Sequence, residues 1–108
     1  MKRFIITPLA EQDLEAIGNY IAKDNPRRAL SFIGELRSQC GKISKAPKAY
    51  RPREELGKGI RSCSHGKYVI FYTEDEGVVR IVRVLHSAMD IEARFDDEDD
   101  SAAPTKSK

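Results

Sequence analysis

The stretch that decides the fold is KYVIFYTEDEGVVRIVRVLH, residues 67–86. It contains two β-branched and aromatic runs, 67–74 and 78–86, separated by a short link that ends at Gly77. Val, Ile, Tyr and Phe favour strands, and a short glycine-containing link between two such runs is typical of a hairpin. The pattern therefore predicts two neighbouring antiparallel strands.

A third strand is predicted just before this hairpin. The run IRSCS, residues 60–64, is joined to the next run through the short link His65-Gly66. Three strands joined by tight links in this way form an antiparallel meander. Residues 46–59, which contain two prolines and the Gly57-Lys58-Gly59 turn, are predicted to be irregular.

The middle strand of the meander is apolar on both faces. Successive side chains of a strand alternate between faces, so Tyr68, Ile70 and Tyr72 share one face while Val69 and Phe71 share the other. A strand with this composition is predicted to be central and covered on both sides.

A strand and two helices precede the meander. RFIIT, residues 3–7, is β-rich, and Thr7-Pro8 and Asn25-Pro26 are each typical of a helix N-terminus, with the polar side chain as cap. Apolar residues recur at helical spacing, at Ala10, Leu14, Ile17 and Ile21 in the first helix and at Ala29, Ile33, Leu36, Cys40 and Ile43 in the second. Two such helices joined by a few residues predict an antiparallel helix hairpin.

These elements together predict an α+β fold in one domain over residues 1–95. It consists of an N-terminal strand, an antiparallel helix hairpin, a three-stranded antiparallel meander and a short C-terminal helix at 90–95 that Asp90 caps. The tail 96–108 is acidic at its start and is predicted to be disordered. Because one hairpin covers only one sheet face, the second cover is expected to come from outside this chain.

Composition narrows the class of protein. The 108 residues carry a net charge of +2 and include two cysteines, which are interpreted as small buried hydrophobic residues. We expect no metal, cofactor or membrane span, and the apolar run after Met1 is too short for a signal peptide. The expected location is the cytoplasm.

Charge is unevenly distributed along the sequence. Residues 37–67 contain nine Lys or Arg residues and two Glu residues, whereas residues 96–100 read DDEDD. The basic stretch suits an acidic protein segment or a nucleic-acid backbone, and a solvated surface without a partner is the alternative. A further hypothesis is that the acidic tail shields the basic stretch within the same chain.

One group of residues could support enzymatic chemistry. Arg61, Arg83 and His86, with a glutamate from 54–55 and a strand tyrosine, offer the cations and the acid/base groups of a ribonuclease. Strand alternation, however, places Arg83 and His86 on opposite faces unless the strand bulges. We therefore interpret both as structural or strand-edge residues that bond the backbone or Asp90.

Four motifs resemble the ParE toxins of the ParE/RelE type II toxin–antitoxin superfamily. They are DLEAIGNYIAKDNP at 13–26, P-x-x-Y-R-P-R-x-E-L-G-x-G-I-R-S at 47–62, YVIFY at 68–72 and V-R-V-L-H-x-x-x-D at 82–90. The resemblance covers about residues 3–95 and implies the RelE-like fold.

The resemblance also implies an activity and partners. ParE toxins inhibit DNA gyrase and block replication, and a ParD-like antitoxin neutralises them in a hetero-oligomeric complex. DNA contact would then be indirect, through the antitoxin or gyrase. RelE-type relatives instead cleave ribosome-bound mRNA, and no tyrosine follows His86 here as it does in some of those nucleases. A degenerate, non-toxic module that only binds an antitoxin is a further alternative.

Candidate residues follow from these implications. The expected antitoxin contacts are Arg51, Arg53, Arg61, Tyr68, Tyr72 and Arg80. The expected gyrase contacts are Arg51, Arg53, Lys58, Arg61 and Phe95. No catalytic residue is expected in a gyrase inhibitor, and a ribonuclease would use Arg61, Arg83 and His86.

Overall fold

The structure, a computed structural model, describes residues 3–95. The elements in chain order are β1 (Arg3–Ile6), α1 (Pro8–Ala22), α2 (Pro26–Lys45), a single 3-10 turn (Pro47–Ala49), β2 (Arg51–Pro52), β3 (Arg61–His65), β4 (Tyr68–Asp75), β5 (Val78–His86) and α3 (91–95). The five strands form one sheet in the order β1-β5-β4-β3-β2. The predicted α+β class is thus confirmed, whereas the expected tail 96–108 lies outside the described residues.

Local sequence signals fix the helix ends. Thr7 Oγ1 accepts a hydrogen bond from the Ala10 amide at 3.2 Å, and Asn25 Oδ1 accepts one from the Arg28 amide at 3.0 Å. Each cap thereby satisfies an amide that has no partner within the helix. Both predicted helix starts are confirmed.

The helix hairpin packs on one face of the sheet, which we call the inner face. Its core includes Phe32, which the apolar spacing had not selected, and both cysteines, which are buried and free as predicted. The buried members are Ala10, Leu14, Ile17, Phe32, Leu36, Cys40, Ile43, Cys63, Ile70, Tyr72, Val79, Ile81 and Val84.

The opposite, outer face is covered by this chain itself. Leu56, Ile60 and Phe95 pack there on Val69, Phe71 and Leu85. The expectation of a missing second cover is therefore wrong. The reason is that segment 53–60 folds back on itself, with Arg53 donating to the Ile60 carbonyl at 2.7 Å, and that α3 returns to the sheet.

The sheet has two features that the sequence pattern did not reveal. β1 pairs with β5 in parallel, so the first strand lies at the sheet edge beside the last one. β5 also carries a bulge, because Phe71 is opposite Arg83 while Tyr72 is opposite Ile81, which leaves Val82 as the extra residue. The bulge changes where the side chains of residues 82–86 point.

Candidate functional site

A cross-strand row of side chains runs over the outer face. Arg51 on β2 is opposite Ser62 on β3, Ser62 is opposite Phe71 on β4, and Phe71 is opposite Arg83 on β5. Residues directly opposite each other in an antiparallel pair share a face. In this register Phe71 lies between Ser62 and Arg83, with Arg51 one strand further out, although the chain positions of the four residues are far apart.

The side chain of Arg53, in the loop that follows β2, contacts members of this row. Its Nε donates to Glu55 at 2.7 Å, its Nη1 lies 3.4 Å from Ser62 Oγ, and its guanidinium lies 5.6 Å from the Phe71 ring centroid. The hydrogen bond from Arg53 is the main cause that lowers the pKa of the Glu55 carboxyl. Arg53 is thus held in place over the aromatic core of the outer face.

Arg61 does not join the same surface. It is opposite Tyr72, which belongs to the inner face, and its Nη1 donates to the Tyr50 carbonyl at 2.7 Å. The basic sequence stretch is therefore divided by the sheet, with Arg51 and Arg53 on the outer face and Arg61 turned to the inner side. Lys58 is exposed in the loop between them.

Two predicted contact residues are buried. Tyr72 has no exposed surface, and its hydroxyl donates to the Pro47 carbonyl. Burial raises the pKa of Tyr72 to about 12. Phe95 is 6% exposed, with its ring 5.1 Å from that of Phe71 in an edge-to-face arrangement. In this conformation neither side chain offers a surface to a partner, which corrects their expected exposure.

Arg83 forms an ion pair with Asp13 at the edge of β5. Arg83 Nε and Nη2 donate to the Asp13 carboxylate at 2.8 and 3.0 Å, and the Val84 amide donates to the same carboxylate at 2.9 Å. The side chains of Asp13 and Arg83 are only 12% and 11% exposed. The interpretation of Arg83 as a strand-edge residue agrees with this geometry, but its partner is Asp13 and not Asp90.

His86 has a structural bond of its own. Its Nδ1 accepts from the Ala88 amide at 3.0 Å, and its ring lies 5.1 Å from that of Tyr68. Nδ1 therefore carries no proton, and the ring closes the turn after β5. The partner predicted for this residue, Asp90, instead caps α3 by accepting from the Ala93 amide at 3.2 Å.

Arg83 and His86 line one cavity, although they are opposite Phe71 and Tyr68, which lie on different faces of β4. The bulge lies before both residues and does not change the alternation between them. The cavity has a volume of about 370 Å³ and lies between α1, the end of β5 and α3. Asp13, Ile17, Tyr20, Tyr68, Arg83, His86 and Arg94 are among the residues that line it. Because β4 separates Arg61 from β5, and the Arg61 guanidinium is held at the Tyr50 carbonyl beside β2, the three ribonuclease candidates do not surround one point.

A polar cluster between α2 and β3 was missed by the sequence analysis. Glu35 accepts from Arg28 at 2.7 Å and contacts His65 Nε2 at 3.0 Å. Hydrogen bonds, first from Arg28 and then from His65, lower the pKa of Glu35 to about 2. No local spacing rule pairs Glu35 with His65, since 30 positions separate them.

Two further findings concern residues 3–95. No helix there combines the length and the apolar character that a membrane span requires. The same part of the chain has no group of three or more His, Cys, Asp or Glu side chains that could hold a metal ion.

The chain is similar to curated toxins from two bacteria. Toxin ParE1 of Caulobacter vibrioides is 34% identical over 97 residues, which cover 88% of this chain and 99% of that protein. Toxin ParE1 of Mycobacterium tuberculosis is 29% identical over 92 residues, covering 83% and 94%.

Solved structures share the fold. The chromosomal ParDE toxin–antitoxin system from P. aeruginosa matches with a TM-score of 0.66 at 19% identity, covering 80% of this chain and 95% of the other. The RelBE2 toxin–antitoxin complex from Mycobacterium tuberculosis matches with a TM-score of 0.54 at 28% identity, covering 79% and 96%. The predicted RelE-like fold is confirmed.

The family itself is shown by a match over most of the chain. Residues 4–91 match the model of the ParE toxin of the type II toxin–antitoxin system parDE. Together with the relative from Caulobacter vibrioides, this match shows that the chain belongs to the ParE family of toxins.

Proposed function

We propose that this ParE-family toxin inhibits DNA gyrase in the cytoplasm and thereby blocks replication. The observation that carries the proposal is the family match over residues 4–91. On this proposal the chain is an inhibitor that acts by protein contact, with no catalytic residue and no cofactor of its own.

The local chemistry supports an inhibitor more than a ribonuclease. Arg83 is bound to a carboxylate through two of its nitrogens, so its charge is largely compensated before any phosphate approaches. His86 uses Nδ1 for the turn, and Arg61 lies two strands away from β5 with its guanidinium bound to the Tyr50 carbonyl. A phosphoryl-transfer site needs acid, base and cation around one reacting phosphate, and these three side chains are not arranged in that way.

A ParD-like antitoxin is the proposed neutralising partner, and the complex would be a hetero-oligomer. Support comes from the similar folds of the ParDE system and the RelBE2 complex. The proposed contacts are Arg51, Arg53 and Arg80 on the outer face, with Tyr68 at the cavity beside α1. Arg61 remains a candidate at the margin, and Tyr72 is omitted because it is fully buried.

The proposed gyrase surface uses the exposed basic groups. Arg51 and Lys58 are exposed, and Arg53 lies between the exposed surface and the outer core. Arg61 contributes only through its partly exposed guanidinium. Phe95 would become available only if α3 left the sheet. DNA is contacted on this proposal only through gyrase or the antitoxin.

The decisive experiment compares two activities of the purified chain. Supercoiling of relaxed plasmid by gyrase is measured with increasing toxin, beside cleavage of a reporter mRNA in a translation extract. The proposal predicts that the toxin inhibits supercoiling and leaves the mRNA intact, and that the antitoxin restores supercoiling. Cleaved mRNA with normal supercoiling would establish the ribonuclease alternative.

Growth and stability measurements separate the remaining alternatives. Induced expression is expected to arrest growth, whereas a degenerate module that only binds an antitoxin would leave growth unchanged. Saturating ParD-like antitoxin is expected to raise the melting temperature, because binding to the native state stabilises it by mass action. An unchanged melting temperature would contradict the proposed partner independently of the gyrase result.

A further inference from the structure

The outer sheet face has a positive surface beside the point where the acidic segment begins. Phe71 is the buried centre of this face, with the Arg53 guanidinium 5.6 Å and the Phe95 ring 5.1 Å from the Phe71 ring. Phe95 is the last described residue, and the sequence continues directly with the five carboxylates of 96–100. The acidic segment is therefore attached to the residue that packs on the same aromatic ring that Arg53 covers.

Further arginines lie on this face. Arg51 is exposed and belongs to the row that contains Phe71. Arg80 is exposed and is opposite Thr73, which shares a face with Phe71 because the two are two positions apart on β4. Arg53 is paired with Glu55, so Arg51 and Arg80 are the more available charges.

The lengths match. Neighbouring strands are about 4.8 Å apart, so the row from β2 to β5 spans roughly 14 Å. Five extended residues reach at most about 17 Å. A segment attached to Phe95, which packs on β4, can therefore reach Arg51 on one side or Arg80 on the other without displacing Phe95.

We propose that the outer face, through Arg51, Arg53 and Arg80, is a binding surface for an acidic peptide segment, and that residues 96–100 of the same chain occupy it. Each exposed ion pair contributes little by itself, but the short tether keeps the local concentration of the segment near the millimolar range. The contact is reversible and weakens with salt.

This contact has a consequence that rests on the proposed function. An acidic segment of an antitoxin or of gyrase that used the same arginines would have to displace residues 96–100. The tail would then lower the affinity for that partner without changing the fold of residues 3–95. The contact itself can be tested without either partner.

The direct test compares the full chain with the variant D96N/D97N/E98Q/D99N/D100N by NMR of the arginine Nε–Hε groups. At low salt, the signals of Arg51, Arg53 and Arg80 are expected to differ between the two proteins, and at high salt they should converge. Arg27, exposed on α2, is the internal control and should not move. Coincident signals at low salt, or an equal shift of Arg27, would overturn the proposal.

A second measurement uses a free DDEDD peptide as probe. The neutralised variant is expected to bind the peptide several-fold more tightly than the full chain, because its own segment no longer competes. Adding R51A/R80A should abolish that gain, while the matched pair R27A/K42A, on exposed α2 positions, should preserve it. If R51A/R80A and R27A/K42A lowered the affinity for the peptide equally, binding would depend only on net charge. That result would contradict a defined binding surface.

Discussion

Asp13 on α1 binds Arg83 on β5 through hydrogen bonds of 2.8 and 3.0 Å, although 70 residues separate them in sequence. The same carboxylate accepts the Val84 amide just after the bulge. One side chain thus joins the helical layer to a strand edge that β1 is too short to cover, since the register of β1 ends at Ile81.

Asp13→Asn is expected to lower the free energy of unfolding by about 2–3 kcal/mol, because the carboxylate accepts charge-assisted hydrogen bonds from Arg83 and one from the Val84 amide, which an uncharged amide replaces only in part. Urea unfolding of the two proteins measures the change. The matched control is Glu11→Gln, which breaks the exposed pair with Arg37 and should change the stability by less than about 1 kcal/mol. Equal effects of the two substitutions would contradict the structural role of Asp13.

The Glu35 cluster predicts a defined response to acid. The pKa of Glu35 is lowered from 4.5 to about 2, so its contribution is fully present above pH 4.5 and is lost as the pH falls towards 2. Carboxyl NMR titration should show this low midpoint. Arg28→Ala removes the main cause and should move the midpoint back towards 4.5, with a smaller shift for His65→Ala. An unmoved midpoint in Arg28→Ala would exclude the ion pair.

Tyr72→Phe is expected to destabilise the fold by about 1–3 kcal/mol, because it leaves the buried Pro47 carbonyl without its donor. Tyr20→Phe, at a side chain 67% exposed, should be nearly neutral.

The same tyrosine predicts a response to base. The pKa of Tyr72 is raised from 10.0 to about 12, so the unfolded chain loses this proton first and stability falls between pH 10 and 12. Thermal melts at these pH values should show that fall for the parent protein, and a smaller fall for Tyr72→Phe. Parallel curves would contradict the burial of the hydroxyl.

Phe95→Ala tests whether α3 covers the outer face. Loss of the contact with Phe71 is expected to lower the free energy of unfolding by about 3 kcal/mol, as for other buried phenylalanines. Urea unfolding measures this change. Leu30→Ala, at a side chain 79% exposed, is the control and should change the stability by less than about 0.5 kcal/mol. A Phe95 variant as stable as the control would mean that the outer face is covered in another way.

His86→Ala is expected to leave gyrase inhibition intact, because His86 closes a turn through the Ala88 amide and contacts Tyr68. The loss of this hydrogen bond should lower the stability by about 1 kcal/mol. Supercoiling assays and urea unfolding of the same preparation measure both quantities. Lost inhibition with an unchanged unfolding curve would assign His86 a direct role in activity.

The sequence by itself determined the local elements of this protein. Thr7-Pro8 and Asn25-Pro26 predicted both helix starts, and the runs around Gly66 and Gly77 predicted the three strands to within a residue or two of the observed ends. Caps, apolar spacing and short turns act between residues that are close in sequence, so their signals can be read from the chain alone.

Only the tertiary structure decided how those elements meet. The parallel pairing of β1 with β5, the bulge at Val82, the division of Arg53 from Arg61 and the partner of Asp13 all depend on contacts between distant residues. Alternation rules assume a regular strand, and one extra residue in β5 was enough to place Arg80 and His86 on opposite faces, where regular alternation predicted one face. These contacts form because the most stable packing buries the most apolar surface and leaves no buried polar group unsatisfied. That packing depends on all elements of the chain together.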